Sequence, residues 1–368
     1  MTDITIVGAG IIGMMVAREY TDLGASVTLI DKNLAGHEAS WAGGGMLFPI
    51  NPEQQPEAVM RLFFESMTFF PKLIQQLYEV TEIDPEWLMS GLLILQSDDV
   101  QLLSTWCQQN GVITSQPPTE LLSKLGCQPK EPLWLPEIYQ VRNPRLLRAL
   151  KYFLTLRNVT FMENCTLTGV KVKRQRIDKL ETTSGLLPVN HLVLATGAWS
   201  GDNYQKIFPD KAYPRYMGMD VFPVKGQMIV VKGPQGYLDS IILQDGQYMI
   251  PRKDGRIIVG STVESMVFDK SITTEVRENL TDFMYRLLPD LKKCVVEHQW
   301  SGLRPGTISG IPFIGCHQEY ENLSFNCGHF RNGLSTSLAS AKLLVDLIEK
   351  RSPTVDPSPY ELNKSNFH

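Results

Sequence analysis

The chain lacks the features that would direct it to a membrane, a metal or a nucleic acid. No window reaches the apolar length of a membrane span. No basic stretch precedes an apolar segment at the N-terminus, so no signal peptide is expected and the cytoplasm is the expected location. The six cysteines are Cys107, Cys127, Cys165, Cys294, Cys316 and Cys327. None forms a CxxC pair, and no Cys/His spacing resembles a zinc site, so no metal is expected. Thiols scattered this widely read as buried residues of a reducing compartment, not as a disulfide framework. The net charge of −4 comes without the basic stripe that a nucleic acid partner would want. There is no internal repeat. What remains is 368 residues, 43% hydrophobic and 20% charged, which suits a globular enzyme of two interlocked lobes.

Residues 2–31 organise the rest. Ile4, Ile6 and Val7 form a short apolar run that ends in Gly8-Ala9-Gly10-Ile11-Ile12-Gly13. Met14, Val16, Ala17, Tyr20 and Leu23 then recur at helical spacing, Gly24 stops the helix, and Val27-Thr28-Leu29-Ile30 ends at Asp31. This is strand, glycine turn, helix, strand and acid. Gly8 allows the tight turn, Gly10 lets backbone approach a pyrophosphate, and Gly13 lets the helix pack on the strand. The helix N-terminus offers unpaired N–H groups to phosphates. Asp31 stands where a carboxylate binds ribose hydroxyls.

Further along, residues 32–46 carry Ser40-Trp41-Ala42-Gly43-Gly44-Gly45-Met46, glycines suited to backbone lying against a flat group. Residues 48–56 read as a loop, a candidate lid. Phe63, Phe64, Met67, Phe70, Leu73, Ile74 and Leu77 form a core-facing stripe on a helix over 57–80. Residues 90–96 read as a strand, 98–110 and 119–125 as helices. Pro144 opens a helix to 157. Strands over 159–180 flank a basic turn at 171–176, a solvated hairpin tip. An apolar strand at 191–195 ends in Thr196-Gly197-Ala198-Trp199-Ser200, small residues suited to a second strand beside a dinucleotide. Residues 224–260 are β-rich, with Asp-Gly turns. A helix over 274–288, a strand over 294–300 and Gly302-Leu303-Arg304-Pro305-Gly306 follow. The chain closes with Gly328-His329-Phe330-Arg331-Asn332-Gly333 and a helix over 334–349.

These motifs, with Pro223-Val224-Lys225-Gly226-Gln227-Met228 and Tyr248-Met249-Ile250-Pro251-Arg252, resemble the FAD-dependent D-amino-acid oxidase family over nearly the whole chain. The nearest branch in this resemblance is the glycine oxidase (ThiO) type of thiamine biosynthesis. A nicotinamide dehydrogenase would not explain the motifs at 248–252, 302–306 and 328–333.

The resemblance implies an α/β fold: a Rossmann-like FAD domain of glutathione-reductase type, with a mixed or antiparallel β-sheet as substrate domain. The expected FAD-binding segments are 1–80, 141–207 and 301–368, and the substrate-side segments are 81–140 and 208–300. It implies non-covalent FAD contacted by Gly8, Gly10, Ile11, Ile12, Gly13, Asp31, Lys32, Ala39, Ser40, Gly44, Gly45 and Met46. Leu167 (through its backbone), Gly197 and the run His329, Phe330, Arg331, Asn332, Gly333, Leu334 and Ser335 complete the set. Arg304 would bind a substrate carboxylate, with Arg331 and Tyr248 lining the same pocket. The implied reaction oxidises glycine, sarcosine or a small D-amino acid, reduces O2 to H2O2, and needs no obligatory acid/base side chain. Partners would be the amino acid and O2; a homo-oligomer is left open.

The rival readings are a D-amino-acid dehydrogenase with another acceptor, and a non-catalytic flavin-binding subunit. The run Leu334-Ser335-Thr336-Ser337 departs from the aliphatic, Ala- and Pro-bearing continuation of the family. Residues 213–220 also look longer than usual.

Overall fold

Two sheets, packed side by side, carry the candidate site between them. The computed structural model describes residues 3–96, 100–208, 221–264 and 268–362. The expected insertion at 213–220 lies outside the described residues.

The first sheet has six strands, in the spatial order Phe313–Cys316, Leu323–Cys327, His191–Leu194, Ile4–Val7, Val27–Ile30 and Thr160–Met162. Ile4–Val7 is buried at all positions and pairs in parallel with strands on both sides, Ile4 lying opposite both His191 and Val27. A strand covered on both faces reads as an unbroken apolar run, which is what Ile4 to Val7 offers. Phe313–Cys316 alone is antiparallel to its neighbour. Helices Ile11–Asp22, Glu57–Thr81, Asn143–Leu156 and Ser337–Ile348 share one core with this sheet, through Met14, Leu29, Phe70, Leu150 and Leu344.

An antiparallel ribbon of Leu167–Lys173, Arg176–Thr182 and Gly185–Pro188 joins a second core with Leu192 and Phe325. Its first turn has Arg174 and Gln175 at φ 49° and 59°, so the basic run does form a hairpin tip.

The second sheet has seven strands, in the order Val296–Gly306, Phe222–Lys232, Arg256–Gly260, Gln247–Pro251, Ile241–Gln244, Leu92–Gln96 and Leu133–Leu135. All pairs are antiparallel except Ile241–Gln244 with Leu92–Gln96. Helix Thr274–Leu287 covers one face through Leu280, Phe283 and Met284. The sheet is therefore mixed, as expected.

Two expected elements differ. The strand expected over 294–300 runs unbroken through Gly306, because Phe222–Lys232 pairs with it along that length, Val224 opposite Arg304. The last helix begins at Ser337 rather than 334. Gly328 at φ 83° and Phe330 at φ 47° hold the preceding residues in turns.

The glycine turn is packed tighter than side chains permit. A Cβ on Gly13 would lie 1.9 Å from the Gly8 carbonyl oxygen, and one on Gly8 would lie 2.2 Å from that of Ala195. Backbone carbonyls cannot swing aside as side chains do. Gly13→Ala is therefore expected to cost about 3 kcal/mol, read as a lower urea midpoint at unchanged m-value. An unchanged midpoint would refute this packing.

Candidate active site

A cleft runs between the sheets along the carboxyl ends of the parallel strands, where open α/β sheets bind ligands. At one end, the turn of Gly8 and Gly10 leads into helix Ile11–Asp22. The Ile11 N–H donates to Ser40 Oγ at 2.9 Å, so Ser40 tethers the short helix Ala39–Ala42 to the glycine turn. Asp31 Oδ2 accepts from the Ala9 N–H at 2.8 Å and Oδ1 from the Asn33 N–H at 3.0 Å. Asp31 thus braces the turn as well as facing the cleft, and burial raises its pKa. The Lys32 ammonium stands 3.1 Å from the Trp199 ring centroid, and burial lowers its pKa.

In the middle, Gly43, Gly44 and Gly45 cross against the second sheet. A Cβ on Gly44 would meet Ile250 Cδ1 at 2.8 Å and the Tyr248 ring at 3.0 Å. A Cβ on Gly45, at φ 82°, would meet the Val141 carbonyl at 2.0 Å. Asn143 Oδ1 is buried in the cleft wall without a partner. An acceptor left bare at such a depth fits a ligand that brings a donor. Across from it, the turn 328–333 carries His329, whose Nε2 lies 2.7 Å from Asn326 Oδ1 and Nδ1 3.0 Å from Thr336 Oγ1. Burial pushes the His329 pKa down to about 3, so the ring is neutral at working pH.

At the far end, Arg304 projects from the strand Val296–Gly306 across Gly226. A Cβ on Gly226 would fall 2.3 Å from its guanidinium. Arg304 Nη1 donates to the Thr262 carbonyl at 3.1 Å and the Lys225 carbonyl at 3.4 Å, and Nη2 donates to Ser261 Oγ at 2.8 Å. Neither Arg304 nor Arg331 forms an ion pair with a carboxylate among the described residues. Burial lowers the pKa of both, and Arg304 lowers that of Arg331 further. Tyr248 donates to Met228 Sδ at 3.8 Å. Met46, Phe48, Ile50 and Ile250 supply an apolar wall.

All but two of the expected site residues line this one cleft. The exceptions are Gly13 and Ser335. Gly13 sits one layer behind, its missing Cβ facing Gly8, and Ser335 Oγ donates back to the Asn332 carbonyl at 3.1 Å. Sequence reasoning missed Trp199, Asn143, Gly226, Met228 and Ser261 as wall residues. Gly226 had a signal: a glycine inside an apolar strand marks close approach. Ser261 had none, since its place comes from a loop. The glycine turn, the crossing at 43–45 and bare Asn143 Oδ1 together fit a dinucleotide cofactor such as FAD. Among the described residues no group of three or more His, Cys, Asp or Glu could hold a metal ion.

Residues 3–347 match the model of the DAO family, FAD dependent oxidoreductases. The chain is 37% identical to a glycine oxidase of Pseudomonas putida over 364 residues, 97% of each chain. It is 27% identical to a bifunctional ThiO/ThiG protein of Trichormus variabilis, covering 99% of this chain and 55% of that one. The crystal structure of glycine oxidase from Geobacillus kaustophilus superposes with a TM-score of 0.89 at 27% identity, covering 98% of each chain.

A buried imidazole, His329, and a half-buried one, His191, tie stability to pH. His329 and His191 are depressed by burial from 6.5 to about 3 and about 4, respectively. Between those values and 6.5 the unfolded chain binds protons that the folded chain refuses, so stability rises with pH across that window and is lost as pH falls through it. Urea unfolding at pH 7.0, 5.5 and 4.5 should show a loss of a few kcal/mol, and His191→Gln should flatten the slope. An equally steep slope in that variant would refute the assignment.

Proposed function

The chain belongs to the DAO family of FAD-dependent oxidoreductases, and from that premise we propose that it oxidatively deaminates glycine. Sarcosine and small D-amino acids are the further substrates of this reading, and O2 is reduced to hydrogen peroxide. One observation carries it: two half-buried guanidiniums, neither in an ion pair with a carboxylate among the described residues, close one end of a cleft whose other end is a glycine-lined cradle.

Each group then has a role. The Arg304 fork holds the substrate carboxylate with paired charge-assisted bonds. Arg331 adds positive potential at the same end, and Tyr248 and Met228 bound the space left for a side chain. The small apolar wall excludes water and large substituents. Bound FAD would supply the oxidant for the two-electron oxidation at the substrate Cα, with O2 as the final acceptor. Gly44, Gly45 and Met46 on one side and residues 329–334 on the other would orient it. Among the described residues His329 is no base for this step: it is neutral and engaged on both ring nitrogens. The amine therefore enters neutral, and the released imine takes up water to give glyoxylate and ammonia.

We place the activity in thiamine (thiazole) synthesis, which the match to half of a ThiO/ThiG protein supports. The cytoplasm is the proposed location: all six thiols are free, and no helix among the described residues is long and apolar enough to cross a membrane.

Anaerobic glycine should bleach the yellow holoprotein, and air should restore the colour with peroxide release. Arg304→Ala should raise KM about a hundredfold, roughly 3 kcal/mol. A dye reduced without peroxide under air would favour the dehydrogenase. A spectrum unchanged by glycine, sarcosine and D-alanine would overturn the enzyme reading.

A further inference from the structure

The mechanism above uses Arg304 but not what holds it. Its guanidinium is fixed by three acceptors, and two of them, Ser261 Oγ and the Thr262 carbonyl, lie in the segment that follows strand Arg256–Gly260. Past the strand, two main-chain bonds hold this segment to Phe222–Lys232, from the Thr262 N–H to the Gln227 carbonyl at 3.3 Å and from the Glu264 N–H to the Lys225 carbonyl, so the arginine is only as well placed as the loop. What ties the loop's side chains down is the Glu264 carboxylate. Its Oε1 accepts from Thr262 Oγ1 at 2.5 Å and from Gln227 Nε2 at 2.9 Å. Its Oε2 stands 3.4 Å from the buried Lys225 ammonium, and Lys225 in turn pairs with Asp269 at 3.0 Å. Thr262 Oγ1 also accepts from the Gln227 N–H at 2.8 Å, and the Glu264 N–H donates to the Lys225 carbonyl at 2.9 Å.

Lys225 and Gln227 flank Gly226, the residue over which Arg304 lies. The carboxylate thus locks the loop onto the same three residues that the guanidinium crosses. These bonds hold the ionised form, and the Glu264 pKa is lowered by its hydrogen bonds to Thr262 and Gln227 and by Lys225, although burial opposes this.

We propose that Glu264 is a positioning residue for substrate: through Thr262 and Ser261 it sets the orientation in which Arg304 meets a carboxylate. This rests on the reading of Arg304 as the carboxylate site. Two opposed effects make the proposal sharp. As a negative charge near Arg304, Glu264 weakens the field a substrate carboxylate feels, so deleting it by charge alone would tighten binding. As the anchor of the loop, it fixes the fork, so deleting it loosens binding. The carboxylate's three contacts, with Thr262, Gln227 and Lys225, make the second effect the larger.

The test uses holoprotein and two readouts. One is glycine KM and kcat. The other is the dissociation constant of acetate, a carboxylate with no amine, read from the flavin absorption spectrum without turnover. Wild type must first bind acetate, and Arg304→Ala must abolish that binding; failure here overturns the reading of Arg304 rather than the role of Glu264. Glu264→Ala should then raise the acetate dissociation constant and glycine KM about tenfold, with kcat changed less than KM and FAD content retained. Glu264→Gln, which keeps an oxygen for Thr262 and Gln227, should recover most of the loss. Tighter acetate binding in Glu264→Ala would show a countercharge only. Equal loss of kcat, KM and bound FAD would show a merely structural role; either result overturns the proposal. Should Glu264→Ala fail to fold, Thr262→Val, which removes the hydroxyl between Glu264 and the Gln227 N–H but keeps the carboxylate, must show the same rise in the acetate constant, and an unchanged constant there also overturns it.

Discussion

Backbone packed closer than a Cβ allows is the constraint on which both halves of this molecule depend. Around the first sheet, Gly13 lies against the Gly8 carbonyl and Gly8 against that of Ala195, so helix, turn and two parallel strands meet at one point. Between the halves, a Cβ on Gly302 would strike Ala42 Cβ at 2.6 Å, which fixes how near the short helix Ala39–Ala42 approaches the second sheet. In the second sheet, Gly226 gives up its side-chain volume to the Arg304 guanidinium. Such contacts set the cleft's walls, because interiors packed to crystal density have no slack to borrow.

The second constraint is electrostatic. Arg252 is buried, and it is held by oxygens rather than by an acid: Gln140 Oε1 at 2.5 Å, the Val141 carbonyl at 3.1 Å and the Gly44 carbonyl at 2.6 Å. Burial lowers its pKa to about 10, which leaves it charged at neutral pH. It follows directly on strand Gln247–Pro251, which carries Tyr248, so it ties that strand to the glycine crossing. Arg304 and Arg331 differ in placement: both line the cleft, which Arg252 does not. Arg304 spends three contacts on protein oxygens, as Arg252 does, but its remaining N–H groups stand in the cleft wall, where a ligand's anion can meet them.

Much of this was legible before any coordinates. The parallel strands and the glycine turn follow from local signals, since apolar runs, Gly spacing and Asp31 are all read within one stretch of chain. The role proposed for Arg304 came through resemblance, and the structure adds its half-buried place in the cleft and its position on a strand. What stayed hidden was pairing across long sequence separation. The strand Val296–Gly306 continues past 300 because Phe222–Lys232 lies beside it, and Pro305 is accommodated within that pair opposite Pro223. Trp199 beside Lys32 and Ser261 beside Arg304 are likewise products of the fold, with no periodicity to announce them.

The hydroxyl-rich start of the last helix is the clearest departure from the family pattern, and its chemistry is turned inward. Ser335 Oγ and Thr336 Oγ1 donate to the Asn332 carbonyl at 3.1 and 2.9 Å, and Ser337 Oγ donates to the Leu334 carbonyl at 2.8 Å. Ser340 Oγ donates to the Ser337 carbonyl at 3.1 Å. Ser335, Ser337 and Ser340 spend their hydroxyl hydrogens on carbonyls of the preceding turn, the local alternative that Ser and Thr offer a helix, while Thr336 has two acceptors in reach of its one hydrogen, the Asn332 carbonyl and the unprotonated Nδ1 of a neutral His329. None of the four residues lines the cleft. Thr336 also stands beside His329 Nδ1, so the run steadies a neutral imidazole behind the turn 328–333. The polar substitution therefore changes how the helix begins, and leaves the cleft wall to the residues before it, His329 through Leu334.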